Sequence, residues 1–165
     1  MARGWSYIGI DESNHGRHPE IFVAAFSRNQ NDGTVYQEER FNKRRKHERI
    51  TERIGQRDYR FALVTRKEAR LPEIISSIVR YDVPLEFPLR IYIDGKVREE
   101  EQKRIMEMLS VKRKINQSEI QIYAEDKFDE RVEIVNLADE IANWLFRKPL
   151  SWLSENNRIC KLDNI

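Results

Sequence analysis

The sequence contains a single cysteine, Cys160, which excludes an internal disulfide and any zinc site built from several cysteines. No stretch approaches the roughly 20 consecutive apolar residues that a membrane span requires. The amino terminus also lacks the apolar core of a signal peptide. We therefore expect a cytoplasmic protein that has no membrane partner.

Glycine-rich loops are also missing, since neither G-x-x-x-x-G-K-[ST] nor G-x-G-x-x-G occurs in the chain. No serine occupies the centre of a G-x-S-x-G elbow, so this common hydrolase nucleophile is not indicated. The histidines His15, His18 and His47 lack the spacing of metal ligands. These absences leave the carboxylates as the candidate functional groups.

The length of 165 residues is that of one ordinary domain with a single core. We assign residues 1–149 to this domain and residues 150–165 to a carboxyl-terminal tail. Hydrophobic periodicity predicts strands at 5–11, 21–26, 34–38, 58–65, 89–95 and 119–124, and helices at 67–81, 99–112 and 131–146. This order favours an α/β fold, in which helices flank a mixed sheet of about five strands.

Two of the predicted strands end in acidic residues. Asp11 and Glu12 follow the first apolar run, and Asp94 precedes Gly95 at the end of a later strand. Right-handed crossovers let these strands lie side by side and parallel, with their carboxyl ends at one edge of the sheet. The acids then meet at that edge, although an Asp-Gly pair after a strand is also a common turn.

A further acid, Asp139, lies in the last predicted helix beside an apolar stripe. The stripe consists of Val135, Ala138, Ala142 and Leu145. Its two alanines allow a close approach to the sheet, so one turn of helix can place Asp139 over the strand ends. Asn136 and Asn143 share the face of Asp139, at spacings of three and four residues.

Clustered carboxylates repel one another unless a cation neutralises them, and Mg2+ or Mn2+ accepts such oxygen ligands. Adjacent residues on a regular strand point to opposite faces. Asp11 and Glu12 can therefore share one ion only if the strand ends or bends between them, as Ser13 and Asn14 would allow.

Three motifs resemble those of the ribonuclease H-like superfamily: Ile10-Asp11-Glu12-Ser13, Ile93-Asp94-Gly95 and Leu137-Ala138-Asp139. Type 2 ribonuclease H has I-D-E-A-G-R-G on its first strand and an Asp-Gly after a later strand. A family of uncharacterised ribonuclease H-like proteins opens with I-D-E-S-G and closes with L-Q-L-A-D. The resemblance implies four catalytic carboxylates that bind two magnesium ions, here Asp11, Glu12, Asp94 and Asp139.

The motifs also depart from these families. Ser13-Asn14-His15 stands where type 2 ribonuclease H has A-G-R, a segment that belongs to its recognition of a ribonucleotide joined to DNA. That specificity is therefore not implied. The fourth ligand is open as well, because its place after the last strand in type 2 ribonuclease H selects Asp126 or Asp129, whereas the L-A-D match selects Asp139.

Residues 40–60 concentrate basic side chains and contain few apolar ones. The candidate phosphate contacts in this basic segment are Lys43, Arg44, Arg45, Lys46 and Arg49. They imply a nucleic-acid partner, which could be RNA, DNA or a hybrid. An equally weighted interpretation is a solvated helix in which Glu48 and Glu52 pair with neighbouring arginines.

The sequence leaves more than one function open. The first is a divalent-metal-dependent nuclease or phosphodiesterase that hydrolyses nucleic acid at a carboxylate-held two-metal site. The alternative is a non-catalytic nucleic-acid-binding or assembly module with the same fold. A third is a small-molecule phosphohydrolase with an unrelated α/β fold. The oligomeric state is open too, a homo-oligomer included.

Overall fold

The computed structural model describes residues 4–13, 20–28, 54, 58–64, 70–79, 83–160 and 162. The predicted strand at 34–38 and most of the basic segment lie outside these residues. The same is true of every candidate phosphate contact, namely Lys43, Arg44, Arg45, Lys46 and Arg49.

Five strands form one mixed sheet. They are β1 (Trp5–Ser13), β2 (Glu20–Ser27), β3 (Tyr59–Val64), β4 (Leu85–Asp94) and β5 (Ile120–Glu125), in the spatial order β3-β2-β1-β4-β5. Strand β1 pairs antiparallel with β2 and parallel with β4, and β4 pairs parallel with β5. The predicted mixed sheet is confirmed, and so is the parallel pairing of the two strands that end in acid.

Helices connect and flank the strands. They are α1 (Leu71–Ile78), α2 (Glu99–Arg113), α3 (Phe128–Arg131), α4 (Glu133–Phe146) and α5 (Leu150–Glu155). The prediction of one continuous helix over 131–146 is wrong at its start, because Val132 has extended backbone angles that separate α3 from α4. No helix in the described part of the chain is long and apolar enough to cross a membrane.

The two faces of the sheet carry different layers. Ile8 and Ile10 of β1 pack with the buried side chains of α1 and α2. On the other face, the predicted stripe of α4 is fully buried with the apolar side chains of β2 and β3. Because strand residues alternate, Gly9 and Asp11 lie on the α4 face.

Helix α4 lies directly against the backbone of β1 at Gly9. A β-carbon at this position would overlap the carbonyl oxygen of Ile134 and would lie 2.8 Å from the nitrogen of Val135. Such overlap with helix backbone cannot be relieved by rotating a side chain. The absence of a side chain at Gly9, together with buried Ala138 and Ala142, therefore sets the short distance between helix and strand.

Residues of the predicted carboxyl-terminal tail add to the α4 face. Leu153 of α5 is buried in the same cluster, and Ile159 forms a parallel bridge with Phe61 of β3. The backbone N–H of Cys160 donates to the carbonyl oxygen of Phe61 at 2.7 Å. These contacts fix residues 150–160 beside β3.

Candidate metal centre at the carboxyl edge of the sheet

Three carboxylates meet near the carboxyl end of β1. Asp11, Asp129 and Asp139 each contribute a carboxylate oxygen, and these oxygens lie within 4.8 Å of one another. The three residues come from β1, α3 and α4. The close contact of α4 with β1 at Gly9 therefore brings Asp139 to Asp11, as the small residues of the helix predicted.

Asp94 borders this acidic cluster at the end of β4. Ile93 is paired with Ile10, so Asp94 lies beside Asp11 on the same face of the sheet. Its Oδ1 accepts a hydrogen bond from the backbone N–H of Asp129 at 3.4 Å. Gly95, with a φ of 107°, then turns the chain away from the sheet.

Burial of these carboxyl groups raises their pKa values. Burial raises the pKa of Asp11 to about 9, the charges of Asp139, Asp94 and Asp129 add to this, and the hydrogen bond from the N–H of Glu12 at 2.8 Å lowers it. The pKa values of Asp139 and Asp94 are also raised, first by burial and then by Asp129. The carboxyl groups lie so close together that they cannot all be ionised unless a cation lies between them; otherwise at least one of them keeps a proton.

Two asparagines orient the cluster. The side-chain amide of Asn143 donates to Oδ1 of Asp139 at 3.2 Å. The amide of Asn136 donates to the backbone carbonyl of Asp129 at 3.0 Å, which fixes α3 against α4. Both asparagines lie on the helix face that carries Asp139, as their spacing in the sequence predicted.

The side chain of Glu12 points to the opposite face of β1. The prediction that the first strand ends at Asp11 is wrong, because regular pairing with β2 continues through Glu12 and Ser13. Burial and a hydrogen bond with Glu20 raise the pKa of Glu12 to about 7, and the charge of Asp94 contributes less. Because β1 neither ends nor bends between Asp11 and Glu12, a metal-ligand role for Glu12 stays a prediction.

Asp126 and Asp129, the two candidate ligands after the last strand, have different surroundings. Asp126 is exposed, and its Oδ2 lies 3.7 Å from the ammonium group of Lys96, in a solvated ion pair of little energetic weight. Asp129 instead joins the acidic cluster. The sequence presented Asp129 and Asp139 as alternatives, but the break at Val132 lets both reach Asp11.

The fold has solved counterparts among ribonucleases H. Ribonuclease H2 from Pyrococcus horikoshii OT3 matches with a TM-score of 0.58 and 19% identity, over 91% of this chain and 76% of that chain. RNase HII from Archaeoglobus fulgidus, solved in complex with PCNA, matches with a TM-score of 0.64 and 19% identity, over 91% and 77%.

A mutant of Bst-RNase HIII matches with a TM-score of 0.55 and 16% identity, over 92% of this chain and 55% of that chain. These likenesses confirm the predicted ribonuclease H-like fold. No family model matches the sequence, and no curated protein matches it. The resemblance to the family with I-D-E-S-G and L-Q-L-A-D motifs therefore stays a prediction.

Proposed function

We propose that the protein is a divalent-metal-dependent nuclease that hydrolyses phosphodiester bonds in nucleic acid. The observation that carries this proposal is the convergence of Asp11, Asp129 and Asp139 within 4.8 Å at the carboxyl edge of the sheet. The likeness in fold to three ribonucleases H supports it as an analogy, because a fold by itself does not define an activity.

The donor set fits Mg2+ or Mn2+. Hard divalent cations prefer oxygen ligands, and the three clustered side chains offer carboxylate oxygens alone. Burial is the main reason that the pKa of Asp11 is raised, and the neighbouring charges of Asp139, Asp94 and Asp129 add to it; a bound cation would neutralise this negative charge. We propose Asp11, Asp94, Asp129 and Asp139 as the holding residues.

The protein's own residues prepare this site. Burial of Asp11, which is 6% exposed, keeps bulk water away from its carboxyl group, so electrostatic interactions there are strong. Asn143 holds the Asp139 carboxylate in one orientation. Bound divalent ions would activate the attacking water and stabilise the leaving oxygen of the phosphodiester.

The direct test is incubation with labelled single-stranded RNA, single-stranded DNA and hybrid oligonucleotides in Mg2+, in Mn2+ and in EDTA. We expect cleavage of at least one substrate in a divalent metal and none in EDTA. Tight binding without cleavage in both metals would contradict the nuclease proposal and favour the non-catalytic module.

The hydrogen bond from Asn136 to Asp129 gives a second prediction. Asn136→Ala removes the link that fixes α3 against α4, so we expect the affinity for Mn2+ to fall about tenfold, as for other outer-shell partners of metal sites. The measurement is the rise in melting temperature across a Mn2+ titration. Asn116→Ala is the control, because the side chain of Asn116 accepts a local hydrogen bond from the N–H of Ser118, near the start of β5.

The basic segment gives a third prediction, which rests on sequence alone. If its side chains contact phosphates, replacing four of them with Gln lowers the slope of log affinity against log salt by about 0.7 per lost contact on a single strand. The four substitutions are Lys43→Gln, Arg44→Gln, Arg45→Gln and Lys46→Gln.

A matched control removes the same charge at four exposed residues, namely Lys103, Arg104 and Lys112 of helix α2 and Lys114 directly after it. We expect this control to keep the salt slope of the wild-type protein. Equal slopes for the wild type and the basic-segment variant would instead show that these four side chains make no phosphate contacts.

A further inference from the structure

Three tyrosines from neighbouring strands form a column of stacked rings on the face that carries the acidic cluster. Tyr7 of β1 and Tyr92 of β4 have ring centroids 6.4 Å apart and planes inclined by 14°. Tyr92 and Tyr123 of β5 are 5.1 Å apart and inclined by 19°. We call these three rings the tyrosine column.

The tyrosine column ends at an open ring. Strand β5 is the last strand of the sheet in the described part of the chain, so no further strand adjoins the outer side of Tyr123. The residue is 42% exposed. Another flat aromatic group could therefore extend the column by stacking on Tyr123.

Hydrogen bonds hold this open ring in place. The hydroxyl of Tyr123 donates to Oε1 of Gln121 at 2.9 Å. Arg90 donates from Nε to the same oxygen at 3.3 Å and from Nη1 to the hydroxyl of Tyr7 at 2.7 Å. Fixing the ring in advance lowers the entropic cost of stacking a ligand on it.

Arg90 also places a cation beside the rings. Among the described residues, both of its hydrogen-bond partners are neutral, so neither of these partners neutralises the guanidinium charge. A phosphate group is the natural anion for such a planar donor. An aromatic platform with an arginine next to it is the arrangement that binds a base together with its phosphate.

The tyrosine column is continuous with the candidate metal centre. Tyr92 and Asp94 are two residues apart on one face of β4, which corresponds to about 7 Å along the strand. The Phe128 ring packs edge-on against Tyr92 at 6.1 Å, and the next residue is Asp129. Tyr123 lies one strand farther out, with its ring centroid 5.1 Å from that of Tyr92, so a base stacked on its outer side is a few nucleotides from the acidic cluster.

We propose that Tyr123 and Arg90 bind an unpaired nucleotide a few positions from the scissile phosphodiester, with the base stacked on Tyr123 and a phosphate paired with Arg90. The substrate is then single-stranded or locally unpaired nucleic acid, because paired bases already stack on one another and their faces are not free to stack on Tyr123. This inference rests on the proposed function for the position of the scissile bond.

The test is the binding of a fluorescently labelled single-stranded oligonucleotide, compared with a blunt duplex, by fluorescence anisotropy in Mg2+. All variants are made in an Asp94→Asn background, so that the probe stays intact. We expect Tyr123→Ala to weaken single-strand binding about tenfold, in line with the loss of one base-stacking contact. Tyr123→Phe keeps the ring but loses the hydroxyl hydrogen bond that fixes it, so it is expected to bind more weakly than its parent and more tightly than Tyr123→Ala.

Arg90→Gln is expected to weaken single-strand binding and to lower the salt slope by about 0.7, the value for one lost phosphate contact. Phe146→Ala is the matched control, because Phe146 is an exposed ring near the end of α4, away from the column. We expect it to bind like the parent, and melting temperatures show which variants are folded.

Unchanged single-strand affinity in folded Tyr123→Ala would overturn the inference, and so would an equal loss of duplex binding. The same experiments distinguish failure of this inference from failure of the proposed function. Binding that depends on Tyr123 in a protein that cleaves nothing keeps the inference and contradicts the nuclease, whereas cleavage with binding independent of Tyr123 does the reverse.

Discussion

Asp94→Asn is expected to reduce cleavage about a thousandfold while the protein still binds nucleic acid. The substitution keeps an oxygen that can accept the N–H of Asp129 but removes one negative charge from the edge of the acidic cluster. Losing a metal-holding carboxylate forfeits several kcal/mol of transition-state stabilisation, which corresponds to about three orders of magnitude in rate. Binding should persist or tighten, because a charge that repels phosphate is gone.

The measurement compares initial cleavage rates and binding affinities of the wild type and the variant in Mg2+. Asp126→Asn is the matched control, because Asp126 is exposed, pairs with Lys96 and lies outside the cluster of Asp11, Asp129 and Asp139. It is expected to cleave like the wild type. Equal rates for Asp94→Asn and the wild type would show that a contaminating nuclease produces the cleavage.

Asp11→Asn is expected to stabilise the protein without metal and to abolish its response to metal. Burial raises the pKa of Asp11 to about 9, whereas the unfolded chain has a value near the ordinary 3.8. Between these values the folded state keeps a proton that the unfolded state releases. The stability of the wild-type protein therefore falls as the pH rises from about 4 through 9, by up to about 1.4 kcal/mol per pH unit.

Asparagine carries no charge at any pH, so the variant does not lose this stability as the pH rises. In EDTA we expect its melting temperature to exceed that of the wild type above about pH 5, by a margin that widens by roughly 3 °C per pH unit. With added Mg2+ or Mn2+ the wild type should have the higher melting temperature, because the ions bind the assembled carboxylates of the folded wild type.

The check is thermal unfolding of both proteins between pH 5 and 9, in EDTA and in Mn2+, with Asp126→Asn as the control for the loss of a charge. Identical pH profiles in EDTA would show that Asp11 is not the group that releases the proton. An identical rise in melting temperature on adding Mn2+ would show that the ions bind elsewhere.

Local patterns in the sequence determined much of the fold and part of the candidate site. The alternating runs before Asp11 and Asp94 predicted two strands that end at one edge of the sheet. The stripe on α4 predicted the face that packs on the sheet, and with it the position of Asp139. These features could be predicted because the periodicities of strands and helices are properties of neighbouring residues.

Only the tertiary structure decided to which face of the sheet Glu12 points and that Asp129 belongs to the acidic cluster. Glu12 faces away from Asp11 because β2 pairs with β1 beyond the acid, and that pairing depends on residues about ten positions later. Asp129 joins the acidic cluster because Val132 breaks the helix and Asn136 fixes the short α3.

The tyrosine column shows the same limit over a longer range. Tyr7, Tyr92 and Tyr123 share no sequence pattern, and they stack only because β1, β4 and β5 are neighbours in the sheet. The parallel register pairs Tyr92 directly with Tyr123 and sets Tyr7 diagonally beside Tyr92. Strand order and register depend on the packing of the whole chain, so contacts across strands cannot be predicted from local periodicity.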